Sequence, residues 1–276
     1  MSQSYYDLPD IGCFKLLLEK IDMARVALEM SKGRQSQVWP AAIEKLKIRW
    51  TTDSNALEGS SLTFGDTLFF LQEGLTVKGK PFKDYLDARN HADAVEMLFD
   101  VVADGRPVSV GLVKEINALL MSGVRETPAV DGQGRRVMKP TTPGEFKIAP
   151  NHVLRPDGEV HLYVEPLQVP GQMEQMCQWV DEMEGGTHPV IIAAIIHFNM
   201  VRIHPFDDGN GRGARILMNL ILMKAGFPPA VIRNERREEY FNALRIADQA
   251  DLSPFITFVA KSVADTQDQL LEDLKG

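Results

Sequence analysis

Apolar residues recur three or four positions apart along most of the chain, which predicts a mainly helical protein. The first stripe runs from Phe14 to Met30, and Pro40 is expected to begin a second helix through Trp50, because proline suits the first helical turn. Later stripes predict helices over residues 64–71, 84–102, 110–120, 171–184, 190–203, 210–224 and 236–247, followed by an acidic helix near the chain end.

The segment between residues 141 and 170 breaks this helical pattern. Residues 146–148 and 160–164 have a strand-like composition, and Pro156-Asp157-Gly158 between them is typical of a turn. A short β-hairpin is therefore predicted here. The residues alone leave open whether it has a function or only connects two helices, since an isolated hairpin is marginally stable.

The composition describes an ordinary soluble globular protein. Its 276 residues are 44% hydrophobic and 25% charged, and the sequence contains no repeat, low-complexity segment or linker that would separate two domains. One domain with an N-terminal helical extension is therefore expected.

The net charge narrows the classes of partner, and the cysteine content indicates the redox compartment. A net charge of −8 argues against nucleic acid or an anionic membrane surface as a general partner. Cys13 and Cys177 lack the paired spacing of a disulfide framework or zinc site, which favours a reducing compartment. The N-terminus does not resemble a signal peptide and no apolar run reaches membrane-spanning length, so we expect a cytoplasmic protein without membrane contact.

A dense group of reactive side chains lies between two apolar stripes. Glycines flanking Asn210 allow a sharp turn at the start of a predicted helix, where free amides bind phosphate. Arg212 and Arg215 project from one side of that helix and suit a polyphosphate. Asp208 can hold Mg²⁺, and His204 can accept a proton. The full string is His204-Pro205-Phe206-Asp207-Asp208-Gly209-Asn210-Gly211-Arg212-Gly213-Ala214-Arg215.

Two simpler interpretations of this string are open. It could be a polar loop whose arginines pair with its own two aspartates. His197, His204 and Asp208 could instead bind a transition metal, but Pro205 is expected to break the helix between them, which disfavours that site.

The string resembles, position by position, the Fic (fido) signature H-P-F-x-[D/E]-G-N-G-R-x-x-R. The resemblance covers roughly residues 45–260 and implies a mainly α Fic-domain helical bundle with a short β-hairpin flap. The flap would dock an extended segment of a target protein. Lys147 stands where relatives commonly carry arginine, and Asn151-His152-Val153-Leu154 replaces their usual turn.

A second string, Ser54-Asn55-Ala56-Leu57-Glu58-Gly59, carries a further resemblance. By itself it predicts a short surface helix capped by Asp53 or Ser54 and ended by a left-handed Gly59. It also resembles the Fic inhibitory motif [S/T]-x-x-x-E-[G/N], which implies that Glu58 pairs with Arg215 and restrains the enzyme. The implied organisation is a helical extension at 1–50, an inhibitory region at 51–62, and the Fic domain with flanking helices at 63–276.

The resemblance also implies an activity, which is Mg²⁺-dependent transfer of AMP from ATP to a Ser, Thr or Tyr hydroxyl of a target protein. His204 would be the general base and Asp208 the Mg²⁺ ligand. Phosphates would contact the amides of Gly209 and Gly211, the Asn210 side chain, and the two arginines. Tyr240 is a candidate for the adenine pocket, although its place in an apolar stripe with Phe241 equally suits a packing role.

Other functions remain open at this stage. The same scaffold could remove AMP with Glu58 orienting a water molecule, act as a kinase, or transfer another phosphate-containing group. A catalytically quiet protein that senses ATP is the alternative from a different class. A homodimer is consistent with the habit of the family.

Overall fold

A computed structural model describes residues 5–130, 135–151, 153–154 and 160–275. These residues form a mainly α fold, as the sequence predicts. Its helices, in chain order, are α1 (Lys15–Arg34), α2 (Trp39–Leu57), α3 (Phe64–Glu73), α4 (Phe82–Ala103), α5 (Val110–Leu120), α6 (Val169–Met183), α7 (Pro189–Ile203), α8 (Asn210–Lys224), α9 (Arg237–Ala247) and α10 (Ser253–Asp273). No helix in these ranges is long and apolar enough to cross a membrane.

The core is built around α7 and α8. Helix α7 is apolar over most of its surface, so it must be surrounded by protein, and residues 190–200 are all buried. Helix α8 packs along α7 and is itself buried from Asn210 to Leu222 except at Gly211. The remaining helices enclose this pair, with α4 and α5 against α8 and with α6 and α10 against α7.

Helix α2 is longer than the sequence indicates. Ser54 lies inside the helix, which ends at Leu57, so the predicted separate short helix with Asp53 or Ser54 as its N-cap is wrong. The buried face of α2 continues to its end, and this tertiary packing sustains the helix. Gly59 has φ of +96°, the left-handed stop that the sequence predicts. The division into 1–50, 51–62 and 63–276 stays a prediction, and its first boundary falls within α2.

Two antiparallel strand pairs lie between α5 and α6. β1 (Glu126–Val130) pairs with β2 (Arg136–Pro140), and Thr127 lies directly opposite Lys139. The sequence did not predict this hairpin, because Pro128 and Pro140 argue against strands. β3 (Val153–Leu154) pairs with β4 (Val160–His161), so a strand at residues 160–164 is confirmed only at its start.

The predicted strand at residues 146–148 is wrong. The backbone there follows the loop after α7 instead, since Lys147 N donates to Pro205 O at 2.8 Å. The predicted turn Pro156-Asp157-Gly158, and His152 of the neighbouring segment, lie outside the described residues.

Because α8 is buried, we expect the removal of side-chain volume from it to lower the free energy of unfolding substantially. Leu220 is fully buried and Leu16 of α1 is 82% exposed. We expect Leu220→Ala to lower the free energy of unfolding by about 2–5 kcal/mol, because the cavity is not refilled. Leu16→Ala, the matched control, should change it by less than about 0.5 kcal/mol. Urea denaturation checks both, and equal losses would contradict the assigned core.

Candidate active site

The reactive string forms the turn between the two central helices. α7 ends at Ile203, His204 adopts a left-handed conformation with φ of 50°, and α8 begins at Asn210 after Gly209 with φ of 76°. The Asn210 side chain closes the turn, because its Oδ1 accepts from Phe206 N at 3.0 Å and its Nδ2 donates to Phe206 O at 2.9 Å. In this structure Asn210 therefore shapes the loop, and the phosphate contact that the family resemblance implies for its side chain stays a prediction.

Two further asparagines fix the turn from outside. Asn117 of α5 donates to Asp208 O at 3.0 Å and accepts from Gly144 N at 3.0 Å. Asn151 donates to Phe206 O at 2.8 Å and accepts from Lys147 Nζ at 2.7 Å. Sequence reasoning missed both. Asn117 is a polar residue in the buried apolar face of α5, and that mismatch could have flagged it.

His204 is placed to accept a proton. Its Nδ1 lies 3.3 Å from Val201 O, which can only accept, so this hydrogen bond puts the proton on Nδ1 and leaves the Nε2 lone pair available. Tyr163 stacks on the imidazole with ring centroids 3.8 Å apart. Burial, together with the charge of Lys147, lowers the pKa of His204 to about 3. The imidazole is therefore neutral at neutral pH.

Arg215 is a buried cation held by two helices. It is 2% exposed, and its Nε and Nη2 donate to Ser54 Oγ and Ser54 O, both at 2.9 Å. Nη2 also lies 2.7 Å from Glu58 Oε1. Burial opposes the charge, yet Glu58 and Tyr240 raise the pKa of Arg215 above its ordinary value. The pairing of Glu58 with Arg215 that the resemblance implies is thus present as a contact.

The Glu58 carboxylate also lies against the start of α8. A methyl group added at Gly211 would overlap Glu58 Oε1. The first turn of a helix carries amide groups without a carbonyl partner within the helix, and these favour an anion. The carboxylate, which is 43% exposed, therefore lies where the sequence predicts a phosphate-binding turn.

Arg212 and Asp208 have separate partners. Arg212 Nη1 forms a buried ion pair of 2.8 Å with Asp87 of α4, while its Nη2 is 4.0 Å from Asp208 Oδ1. Asp208 Oδ2 accepts from Thr127 Oγ1 at 2.7 Å, and Oδ1 accepts from Gly209 N at 2.5 Å. The Gly209 amide, predicted to bind phosphate, is thus already engaged. A loop whose arginines pair mainly with its own aspartates is not what the structure shows.

Tyr240 lies behind the arginine. It is 1% exposed, its hydroxyl is 3.5 Å from Arg215 Nη1 and 3.0 Å from His197 Nε2, and its ring packs on Phe255. These contacts match the packing role, and a place in an adenine pocket stays a prediction. His197 is fully buried there, and the described residues contain no group of three or more His, Cys, Asp or Glu that could hold a metal ion.

Comparison with known proteins identifies similar sequences. Residues 107–222 match the Fic/DOC family. The protein adenylyltransferase fic-1 of Caenorhabditis elegans is 32% identical over 213 residues, which cover 75% of this chain and 37% of that protein. The protein adenylyltransferase Fic of Nematostella vectensis is 31% identical over 257 residues, covering 92% and 56%. The chain thus spans less than two thirds of either relative.

Solved structures of similar fold cover nearly the whole chain. A Fic domain containing signaling protein from Bacteroides thetaiotaomicron has a TM-score of 0.82 and 28% identity, and the match covers 94% of this chain and 97% of that one. Residues 134–508 of C. elegans Fic-1 give a TM-score of 0.76 and 25% identity, covering 95% and 73%.

The buried imidazoles near the site predict a stability that falls in acid. Burial lowers the pKa of His91 and His197 well below the ordinary value, and that of His204 to about 3. Below about pH 6.5 the unfolded chain binds protons that the native state does not, so acid favours unfolding by about 1.4 kcal/mol per pH unit for each such histidine.

Urea denaturation of the parent and of His197→Gln between pH 7.5 and 5.5 checks this prediction. The slope of unfolding free energy against pH should be shallower in the variant by up to about 1.4 kcal/mol per unit. Between pH 7.5 and 8.5, the control window, the slopes should agree. If the parent and the variant have equal slopes between pH 7.5 and 5.5 as well, His197 titrates normally.

Proposed function

Since the chain belongs to the Fic/DOC family, we propose that it transfers AMP from ATP to a Ser, Thr or Tyr hydroxyl of a target protein and that Glu58 restrains this reaction. One observation carries the proposal. The Glu58 carboxylate pairs with Arg215 and covers Gly211 within an otherwise complete catalytic turn. Such a turn has a neutral base, a carboxylate and two cations, and one of those cations is paired with the partly exposed Glu58 carboxylate.

The chemistry follows from the positions of the side chains. The target hydroxyl oxygen would attack the α-phosphorus of ATP while the bond from that phosphorus to the bridging oxygen breaks. Pyrophosphate leaves and an AMP ester remains on the target. His204 Nε2 would take the hydroxyl proton, because the imidazole is neutral at neutral pH and its proton lies on Nδ1. Transfers of this kind depend mainly on positioning and on neutralising phosphate charge.

The two arginines and the first turn of α8 would bind the polyphosphate. Gly211 has no side chain, so phosphate could approach the helix N-terminus closely once Glu58 moves away, and the guanidinium of Arg215 lies beside it. Arg212, fixed by Asp87, would contribute a second positive charge. Planar guanidinium groups suit phosphate oxygens because they donate paired hydrogen bonds.

Asp208 would hold Mg²⁺. Its carboxylate is 33% exposed at the mouth of the turn. Mg²⁺ in nucleotide sites is commonly bound by one or two carboxylates together with substrate phosphates, so a single aspartate fits. Bound there, the ion would neutralise phosphate charge.

Restraint by Glu58 has a direct physical basis. Its carboxylate neutralises Arg215 and would repel a terminal phosphate at short range. Ser54 holds the same guanidinium through its hydroxyl and carbonyl, so the end of α2 fixes both partners of the pair. Misplacing ATP by about 1 Å is enough to slow transfer on the order of a hundredfold.

The proposal also includes target docking, a cytoplasmic location and a homodimer. Target docking on the β3–β4 hairpin is supported by its place between α5 and α6, close to Tyr163, which stacks on His204. Free thiols at Cys13 and Cys177 support a cytoplasmic location. Homodimer formation is retained from the family resemblance alone.

Removing the restraint is expected to reveal the activity. We expect Glu58→Gly, incubated with Mg²⁺ and ATP, to gain the mass of AMP on itself at a rate about a hundredfold above the parent, because ATP can then align. Intact mass spectrometry measures this. Glu184→Gly is the matched control, since Glu184 is also a helix C-cap and its side chain is 46% exposed. Glu58→Gly/His204→Ala should gain nothing.

Other outcomes would change the assignment. A phosphate-sized gain would indicate a kinase, and loss of AMP from a modified sample only in the presence of Glu58 would indicate a deAMPylase. If Glu58→Gly stays folded, binds ATP and labels no faster than Glu184→Gly, the restraint is wrong. Absence of transfer to added protein substrates as well would favour a quiet ATP sensor.

A further inference from the structure

The β1–β2 hairpin contacts both aspartates of the catalytic turn. Thr127 and Lys139 lie opposite each other on the two strands, so their side chains leave the same face of the hairpin. Thr127 Oγ1 donates to Asp208 Oδ2 at 2.7 Å, and Lys139 Nζ lies 2.6 Å from Asp207 Oδ1. One cross-strand pair therefore holds two consecutive carboxylates.

From these contacts we infer that the β1–β2 hairpin belongs to the active site, where Thr127 is a positioning residue that orients the Asp208 carboxylate for a divalent cation. This inference rests on the proposed metal role of Asp208. It adds a residue that neither the signature string nor the predicted flap contains.

The need for such a residue follows from the charges around Asp208. Arg212 Nη2 is 4.0 Å from Asp208 Oδ1, at the limit of an ion pair. A carboxylate free to rotate would close on this guanidinium, and the site would lose both a metal ligand and a phosphate-binding cation. Thr127 holds the opposite oxygen, and Asp87 holds Arg212 from its other side at 2.8 Å. These two contacts keep the charges apart.

The hydroxyl of Thr127 is well suited to this task. Thr127 is 7% exposed, so its bond to Asp208 faces little competition from water. A carboxylate oxygen accepts more than one hydrogen bond, so Oδ2 keeps a lone pair for a cation while it accepts from threonine. Residues that orient a metal ligand in this way commonly change metal affinity or activity by about 10- to 100-fold.

The hairpin is anchored independently of Thr127. The Asp207 side chain, which is 7% exposed, also accepts from Thr142 Oγ1 at 3.1 Å, and Lys139 is 29% exposed. Thr141 N donates to Arg125 O at 3.0 Å at the base of the hairpin. Removing only the Thr127 hydroxyl should therefore leave the hairpin in place and free the Oδ2 end of the Asp208 carboxylate, whose Oδ1 still accepts from Gly209 N.

Metal binding in the full chain carrying Glu58→Gly tests this role without relying on turnover. Affinity for a non-hydrolysable ATP analogue is measured by calorimetry in EDTA and in excess Mg²⁺, and Mn²⁺ affinity is measured by electron paramagnetic resonance with the analogue present. Thr127→Val keeps the shape of the side chain and removes its hydroxyl. We expect it to weaken Mn²⁺ binding about 10- to 100-fold and to leave analogue affinity in EDTA unchanged.

Three controls make the outcomes distinct. Thr127→Ser restores the donor and should bind Mn²⁺ as the parent does. Thr141→Val, which removes a hydroxyl bonded to Val124 O on the same hairpin, should also match the parent. Asp208→Asn should abolish the gain in analogue affinity on adding Mg²⁺.

Equal Mn²⁺ affinity in Thr127→Val and Thr127→Ser, with Asp208→Asn impaired, would overturn the positioning role and leave the proposed function intact. An Asp208→Asn variant with a full Mg²⁺ gain would remove the metal role of Asp208 itself, and the inference with it.

Discussion

Burying the positive charge of Arg215 constrains much of the structure around α8. An ionised group removed from water is costly unless hydrogen bonds and an opposite charge compensate for it. Ser54 and Glu58 from the end of α2, and Tyr240 from α9, supply that compensation. Segments far apart in the chain must therefore meet at one guanidinium. The need to compensate the charge of Arg215 brings Glu58, which is distant in the sequence, into contact with it. The same need places the end of α2 beside α8.

The turn between α7 and α8 depends on side-chain amides in the same way. Its backbone leaves regular structure at His204 and resumes it at Asn210, so its carbonyl and amide groups need partners from elsewhere. Asn117, Asn151 and Asn210 provide them. These three residues fix the shape of the loop that carries the imidazole and the two carboxylates. His204 is neutral at neutral pH in this loop, because burial is the main cause of its lowered pKa.

Sequence reasoning succeeded where the signal was periodic or where the spacing matched a known string. Both ends of α5 and α8, the left-handed Gly59, and the elements that carry His204 and Arg215 were predictable for that reason. It failed where structure depends on partners distant in the chain. Lys147 lies in a peptide bound to Pro205 O rather than in a strand. The Asp87–Arg212 ion pair joins α4 to α8, and nothing in the neighbouring sequence indicates it. The β1–β2 hairpin was not predicted because its strands contain prolines.

The two arginines of the turn differ in how firmly their carboxylate partners are sheltered from solvent. The Asp87 side chain is 8% exposed and the Glu58 side chain is 43% exposed. Mobile ions screen exposed charges far more than buried ones. Rising ionic strength should thus weaken the attraction at Arg215 more than the attraction at Arg212. Two arginines on one helix face therefore respond unequally to dissolved salt, according to the exposure of their carboxylate partners.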